Sequence, residues 1–385
     1  MAALARLVHG MSADLVEPDW PPLTSGEVTE VLSRYSRRPS RSPKAVVVWR
    51  SPRPMAAAAL VQVGPARLFV KRHSSRVRSP EQVAQEHAFT AHLRSAGVNV
   101  PRVLPTKTGA TMLVAATEEA IYEVHEVAVG FDLYRDVPSW TPYTSLGHAR
   151  SAGAALARLH LAAANFDGPP RPPGVLLTSC EVITAPHPMA RLRQLLADRP
   201  GLAAYLQARR WEDDVALYHL RHIERAQPLL RRLRGQWGHG DWHPSNLTWT
   251  TPGPEADVAA IFDLGLANRT YTVHDLALAL ERSTISWLDL ATTGRAEADL
   301  EAVSALLDGY ESVRPLPGRE RDALTAVLPV VHMEYALSEV EYFADVTGNE
   351  ANADLAYLYL VGHAKWFESS EGAVLTEHLR RRPYR

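Results

Sequence analysis

Residues 239–246 read HGDWHPSN and are the most informative stretch of this sequence. A carboxylate, Asp241, and an amide, Asn246, stand five positions apart with Pro244 between them. Proline, Asp and Asn favour turns, and residues 247–249 (LTW) favour a strand. We therefore expect both side chains to lie on a loop that enters a hairpin and presents an acid beside an oxygen ligand.

The next informative residue is Asp263, seventeen positions after Asn246. Residues 259–262 (AAIF) form an apolar run that predicts a buried strand, and Asp263 follows this run directly. Phosphoryl transfer needs a carboxylate that orients the acceptor hydroxyl, oxygen ligands for Mg²⁺ and a cation on the phosphates. Asp241 can supply the first, and Asn246 and Asp263 can supply the second, because Mg²⁺ prefers oxygen ligands.

The cation comes from the first third of the chain. Residues 45–49, 57–63 and 67–71 read as antiparallel strands, and the third ends in Lys71, one of four lysines in the chain. A helix is predicted from Pro80 to about residue 95, with Ser79 as N-cap and a glutamine completing the capping box. Glu86 falls on its mostly apolar face, and a buried carboxylate needs a partner, so we expect it to pair with Lys71.

The distribution of strands and helices predicts the architecture. Residues 98–103, 111–115 and 121–127 read as further strands, whereas the chain after residue 146 is mainly helical, with one or two helices over 191–234. This pattern predicts an α+β fold of two lobes. The predicted divisions are an N-terminal extension (1–43), an N-lobe that binds nucleotide (44–127) and a C-lobe with the catalytic loop and acceptor-binding helices (128–385).

The order of these features resembles that of the aminoglycoside phosphotransferase and choline kinase superfamily, including type II homoserine kinases. The resemblance rests on Lys71 on a strand, Glu86 on the following helix, HGDxxxxN at 239–246 and Asp263-Leu264-Gly265. It implies a two-lobe protein-kinase-like fold and an ATP-dependent, Mg²⁺-dependent phosphotransferase acting on a hydroxyl group. Two departures are the absence of glycine from the phosphate-covering loop at 50–54 (RSPRP) and the non-aromatic Leu264.

The resemblance also implies roles for individual residues. Asp241 is expected to be the catalytic base, and Asn246 and Asp263 the Mg²⁺ ligands. Lys71 is expected to hold the α- and β-phosphates, with Glu86 as its partner. The backbone of Glu126 and Ala128 is expected to bond adenine, and Asp275 to brace the catalytic loop.

The acceptor is expected to be a small molecule. Eleven residues separate Asp263 from Asp275, which leaves little platform for a peptide, although a protein Ser/Thr kinase of the same fold stays open as an alternative. Four polar residues at helical spacing could recognise a cationic acceptor such as an amino sugar, an aminoglycoside, a choline-like compound or homoserine; they are Glu334, Ser338, Glu341 and Asp345. A solvated acidic face is the alternative interpretation of that stripe.

The composition and remaining motifs bear on other classes of protein, namely nucleic-acid-binding, membrane, secreted and metal-dependent proteins. The chain has 41 basic and 43 acidic residues, so we expect no nucleic-acid partner. One cysteine, Cys180, excludes an internal disulfide, and no apolar run predicts a signal peptide or membrane span, so we expect a cytoplasmic protein without a membrane partner.

A metal-dependent hydrolase using His239, Asp241 and His243 is a more distant alternative. Zinc sites need three or four ligands, and the sequence has no second histidine-rich motif nearby. Nothing in the pattern indicates an oligomeric state.

Overall fold

A computed structural model describes residues 7–11, 14–35, 44–117 and 119–383. The strands are β1 (Val8–His9), β2 (Leu15–Val16), β3 (Val46–Arg50), β4 (Ala57–Val63), β5 (Ala66–Ser74), β6 (Leu113–Val114), β7 (Ala120–Glu126), β8 (Gln236–Gly238), β9 (Leu247–Trp249), β10 (Val258–Ile261) and β11 (Asn268–Thr270). The helices of the first half are α1 (Ser25–Leu32), α2 (Pro80–Ser95), α3 (Leu146–Ala163), α4 (Glu181–Thr184), α5 (Pro188–Ala197), α6 (Pro200–Gln207), α7 (Trp211–Tyr218) and α8 (Leu220–Leu230). Those of the second half are α9 (Thr272–Thr284), α10 (Trp287–Thr293), α11 (Leu300–Glu311), α12 (Gly318–Val327), α13 (Met333–Glu341), α14 (Glu350–Trp366) and α15 (Ser370–Arg381).

The N-lobe is built on a five-stranded antiparallel sheet with the strand order β3-β4-β5-β7-β6. Residues of β4 alternate between buried and half-buried, as expected for a strand with one face on a core. The buried face packs against Val28, Val31 and Leu32 of α1. Part of the predicted N-terminal extension thus belongs to the core of this lobe, while the division at 127/128 stays a prediction.

The sequence predicts most of the N-lobe correctly. The helix α2 has the predicted bounds, and its capping box is formed by Ser79 and Gln82. The strand predicted over 98–103 is wrong, since that segment contributes only a bridge between Val103 and His125. Pro101 lies within it and has no N–H to donate to a ladder.

The C-lobe is helical around two short antiparallel strand pairs, β8 with β11 and β9 with β10. Gly153 of α3 and Gly309 of α11 let these two helices approach closely, because a Cβ on either would fall within 2 Å of a carbonyl oxygen of the other helix. Residues 191–234 contain most of four helices rather than one or two; Pro200 begins α6, where its missing N–H costs nothing. Among the described residues, no helix is long and apolar enough to cross a membrane.

The helix α9 is the centre of the C-lobe. Each of its residues from Val273 to Thr284 is buried, including Asp275, Glu281 and Arg282. A helix that is buried on every side and yet carries charged residues requires internal partners for them. Those partners form the site described next.

Candidate active site

Asp275 holds the loop that carries Asp241. From the first turn of α9 its carboxylate accepts the backbone N–H groups of His239 (2.7 Å) and Gly240 (2.8 Å) and the ring N–H of His160 (3.0 Å). Burial acts to raise the pKa of Asp275, but these hydrogen bonds and the His160 ring hold it at about 2. The predicted bracing contact is therefore confirmed.

Asp241 lies on this loop between a cation and an amide. Its carboxylate pairs with the guanidinium of Arg282 and lies 3.4 Å from His243 Nε2. The Asn246 amide nitrogen donates to the Asp241 carbonyl (2.9 Å) and carboxylate (3.1 Å). Burial acts to raise the pKa of Asp241, but His243 and Arg282 hold it well below its usual range, so this carboxylate is ionised at neutral pH.

Arg282 is a site residue that sequence reasoning missed. Its side chain is 0% exposed, and its guanidinium lies 4.5 Å from the ring centroid of Tyr335 and 5.0 Å from that of Trp140. In the sequence it is one of many arginines on a helix and reads as a solvent-facing residue. Its contact with Asp241 depends on the packing of α9 beneath the loop.

Asp263 faces Lys71 across the cleft. The Lys71 Nζ lies 2.8 Å from Asp263 Oδ1, and the Asp263 backbone has a positive φ of 60°, which is strained for a residue other than glycine. Burial acts to raise the pKa of Asp263, but Lys71 and Arg78 lower it to about 2. Burial conversely acts to lower the pKa of Lys71, and Asp263 and Glu123 raise it above its ordinary value. Both groups are therefore charged.

The predicted pairing of Lys71 with Glu86 is wrong. Glu86 is buried on α2 and pairs instead with Arg78, whose Nη1 lies 3.2 Å from its carboxylate. Arg78 precedes the α2 N-cap and reaches the Glu86 carboxylate, while the Lys71 ammonium is held by Asp263. Sequence reasoning did not single out Arg78, because nothing in its local pattern distinguishes it from neighbouring arginines.

Two cavities meet at Lys71 and Asp263. The first, about 350 Å³, lies between the sheet of the N-lobe and the C-lobe. It is lined by both lobes, including Leu60, Glu86, Glu126, Val127, Ala128 and Phe131. The second, about 240 Å³, contains Asp241 and Asn246 and extends to Trp140, Tyr335 and Glu339. The structure thus brings the residues predicted for catalysis, nucleotide binding and metal binding together in one cleft of two compartments.

Glu126 and Ala128 lie at the end of β7, where the chain passes from one lobe to the other. Both line the larger cavity. The Glu126 N–H donates to the carbonyl of Arg102 (2.9 Å), and its carboxylate pairs with the Arg102 guanidinium. The predicted contact of their backbone with adenine stays a prediction.

The loop at 50–54, which lacks glycine, places Arg53 in the lining of the smaller cavity. One guanidinium nitrogen lies 2.6 Å from the Val137 carbonyl, to which it donates, and 2.7 Å from His9 Nδ1. Burial lowers the pKa of Arg53 to about 10, against the nearby carboxylates of Asp132, Asp241 and Asp263. The loop therefore provides a side-chain cation where a glycine-rich loop would provide backbone amides.

The acidic stripe does not form an acceptor site. Glu334 accepts the N–H groups of Val182 (2.9 Å) and Ile183 (3.2 Å) and so caps α4. Glu341 pairs with Arg199, and Asp345 with Arg76. The carboxylate of α13 that lines the cleft is Glu339, which lies off the stripe.

The histidines of HGDWHPSN do not form a metal site. His239 donates from Nε2 to the Phe262 carbonyl (3.0 Å) and accepts the Asp241 N–H at Nδ1 (3.2 Å), so both of its ring nitrogens are engaged. His243 Nε2 lies 3.1 Å from the Asn246 amide. The hydrolase alternative is therefore contradicted, because this cluster lacks three available ligands.

The chain belongs to the phosphotransferase enzyme family, whose model matches residues 57–316. It is 27% identical over 231 residues to a homoserine kinase of Hyphomonas neptunium, an alignment that covers 58% of this chain and 63% of that protein. These matches confirm the resemblance drawn from the sequence and show that the chain is a kinase.

Two solved structures share the fold. A microcompartment-associated aminopropanol kinase matches with a TM-score of 0.58 at 20% identity, over 90% of this chain and 98% of that one. The amicoumacin kinase hAmiN, solved with AMP-PNP, Ca²⁺ and Ami, matches with a TM-score of 0.57 at 13% identity, over 87% and 92%. These likenesses confirm the two-lobe kinase-like fold.

Proposed function

We propose that this kinase transfers the γ-phosphoryl group of ATP to a hydroxyl of a small molecule that carries an amino group, with Asp241 as the base that orients the hydroxyl. The observation that carries the proposal is the position of Asp263 where two cavities meet, with Asp241 in the smaller of them. The larger cavity fits a nucleotide and the smaller one an acceptor. ATP would lie between the N-lobe (44–127) and the C-lobe (128–385).

The larger cavity supports nucleotide binding. Its apolar walls, Leu60 and Phe131, suit a base, and the backbone of Glu126 and Ala128 can bond adenine. Lys71 and Arg53 then lie where the phosphates would pass into the smaller cavity. The amicoumacin kinase of the same fold was solved with an ATP analogue, which is consistent with this placement.

Asn246 and Asp263 fit Mg²⁺. The Asn246 amide nitrogen donates to Asp241, which leaves its carbonyl oxygen as the atom to bind a cation, and Asp263 contributes a carboxylate. Oxygen donors are the ligands that Mg²⁺ prefers. When bound, Mg²⁺ neutralises charge on the phosphates.

The low pKa of Asp241 fits an orienting role. A carboxylate paired with Arg282 is a weak base before the reaction. Phosphoryl transfer passes through a loose transition state in which the attacking hydroxyl needs little deprotonation at the start. Asp241 can therefore accept a hydrogen bond from the hydroxyl, align its oxygen with the γ-phosphorus, and take the proton as the new P–O bond forms.

Glu339, rather than the acidic stripe, is the group we expect to recognise the amine. Burial raises the pKa of Glu339 to about 8, and an ammonium group bound beside it would lower that pKa and hold the carboxylate ionised. Within the described part of the chain its Oε2 has no hydrogen-bond partner. The rings of Trp140 and Tyr335 line the same compartment and can contact a cation. Homoserine and aminopropanol, which name two of the similar kinases, both carry an amine and a hydroxyl.

The catalytic assignment is tested with Asp241→Asn. We expect kcat to fall by roughly 10²–10⁴-fold, while a thermal shift with Mg·ATP persists. The matched control is Asp213→Asn, which changes an exposed aspartate on α7 and should leave kcat unchanged. Near-normal turnover of Asp241→Asn would contradict the mechanism.

The acceptor is tested with radiolabelled ATP against amino alcohols, amino sugars, choline and casein. We expect label on an amino alcohol or amino sugar; label on casein alone would favour the protein kinase alternative. With the best acceptor, Glu339→Gln should raise acceptor KM by about tenfold or more, as expected for loss of a buried charge contact. Glu341→Gln, on the same helix but outside the cleft, is the control, and equal KM values for both variants would refute the role of Glu339.

A further inference from the structure

Three buried side chains form a cluster behind the acceptor compartment. They are Glu281 on α9, His332 immediately before α13, and His363 on α14, and they are 0%, 4% and 2% exposed. One donor atom from each lies within 4.8 Å of the others. Elements that are remote in sequence thus bring together one carboxylate and two imidazoles.

The polar atoms of this cluster have no hydrogen-bond partners among the described residues. This holds for both carboxylate oxygens of Glu281 and all four ring nitrogens of His332 and His363. Glu281 Oε1 lies only 2.8 Å from His363 Nδ1, yet the pair lacks hydrogen-bond geometry. Six unsatisfied polar atoms in one buried volume are far outside what native proteins tolerate, so a partner of some kind is required.

A second buried cluster in the same protein has a carboxylate whose two oxygens are both hydrogen-bonded to side chains. Glu123 bonds His73 Nε2 (2.8 Å) and His87 Nε2 (2.7 Å) through its two oxygens, and His87 Nδ1 bonds the Thr111 hydroxyl (2.8 Å). Its carboxylate is engaged by hydrogen bonds on both oxygens. In the Glu281 cluster, by contrast, neither carboxylate oxygen has a hydrogen-bond partner among the described residues.

We propose that Glu281, His332 and His363 bind one divalent transition-metal ion, with Zn²⁺ the best fit. Two imidazoles and a carboxylate are a donor set that Zn²⁺ uses, whereas Mg²⁺ and Ca²⁺ prefer oxygen alone. Ligand bonds of about 2.0–2.2 Å place neighbouring donors of a tetrahedral site roughly 3.3–3.6 Å apart. Glu281 Oε1 lies 2.8 Å from His363 Nδ1 and 3.9 Å from His332 Nδ1, on either side of that spacing.

The surroundings fit a structural ion. The His363 ring stacks on Trp287 with centroids 3.7 Å apart, and Trp140 contacts the His332 ring edge-on at 5.4 Å. The ion joins α9, α13 and α14. Glu281 directly precedes Arg282 in α9, and Arg282 pairs with Asp241. By holding Glu281, the ion therefore also helps to fix the position of Arg282.

The test is the metal content of the full chain, purified without a histidine tag and dialysed against metal-free buffer. We expect about one equivalent of Zn²⁺, or of another transition metal, per chain. Glu281→Gln and His363→Asn should each reduce this to less than about 0.1 equivalent. The control His222→Asn, which alters a buried histidine that contacts Glu368 elsewhere, should retain the ion.

Two further measurements keep the test decisive if a variant fails to fold. Adding a chelator to the unaltered protein should lower its melting temperature, and Zn²⁺ should restore it. Co²⁺ reconstitution should produce the visible absorption of a four-coordinate site. The proposal is overturned if the folded, unaltered protein holds no transition metal and its melting temperature does not respond to Zn²⁺, or if Glu281→Gln retains the full equivalent.

Discussion

Arg282→Met tests the central ion pair of the site. The Arg282 side chain is fully buried, and its guanidinium pairs with Asp241 between the rings of Trp140 and Tyr335. Methionine keeps the apolar contacts but removes the charge, so Asp241 keeps the His243 ring and the Asn246 amide beside it. Removing one partner of a buried pair costs about 3–5 kcal/mol, because the remaining charge is left uncompensated. Because the His243 contact remains, we expect a loss of stability near the lower end of this range, about 3 kcal/mol.

This loss of free energy converts to a decrease in melting temperature. An unfolding entropy of about 2.1 cal/mol/K per residue over 385 residues is about 0.8 kcal/mol/K. The variant should therefore melt about 4 °C below the unaltered protein. Tryptophan fluorescence during heating provides the measurement. Arg193→Met, which removes an exposed pair with Glu212, is the control and should not shift the transition.

A double-mutant cycle separates the pair from other effects of the substitution. In an Asp241→Asn background a neutral amide already replaces the carboxylate, so Arg282→Met should lower the melting temperature by a much smaller amount. If Arg282→Met melts within about 1 °C of the unaltered protein, or if its effect is the same in both backgrounds, the assignment of a stabilising buried pair is refuted.

Three further predictions follow from contacts described above. Lys71→Met should raise the KM for ATP by about tenfold or more, and Glu86→Gln should raise it less, because Glu86 pairs with Arg78; equal effects in steady-state assays would contradict the observed pairing. Gly240→Ala should lower the melting temperature more than Gly97→Ala. Both glycines have a positive φ, but a Cβ at Gly240 would lie 2.2 Å from a carbonyl oxygen, whereas a Cβ at Gly97 would contact nothing within 4 Å. The reverse order of melting temperatures would disprove the close approach at Gly240. The pKa of Asp275, lowered from 3.8 to about 2 in the folded state, stabilises the fold by about 2 kcal/mol above about pH 4, and this contribution is lost as pH falls toward 2. The difference in melting temperature between Asp275→Asn and the unaltered protein should therefore shrink as the pH falls from about 4 toward 2, and a constant difference would exclude the ionised carboxylate as its source.

Local chemistry explains which features could be predicted from the sequence. The start of α2 at Pro80 and the loop that carries Asp241 and Asn246 depend on residues within a few positions of each other. The approach of Asp263 to that loop follows from a buried strand that ends beside it. The sequence by itself therefore determined the two-lobe class, the family and the acidic and amide residues at the centre of the cleft, Asp241, Asn246 and Asp263.

Tertiary packing decided which charges pair. Lys71 and Asp263 are 192 residues apart, and the Arg282–Asp241 pair depends on α9 being buried beneath the loop. The same packing directs Glu339 into the smaller cavity while the stripe residue Glu341 pairs with Arg199. Ion pairs and hydrogen bonds form only within a few ångströms, so one turn of a helix or one neighbouring arginine changes the partner. No spacing within the chain contains that information, and only the folded structure supplies it.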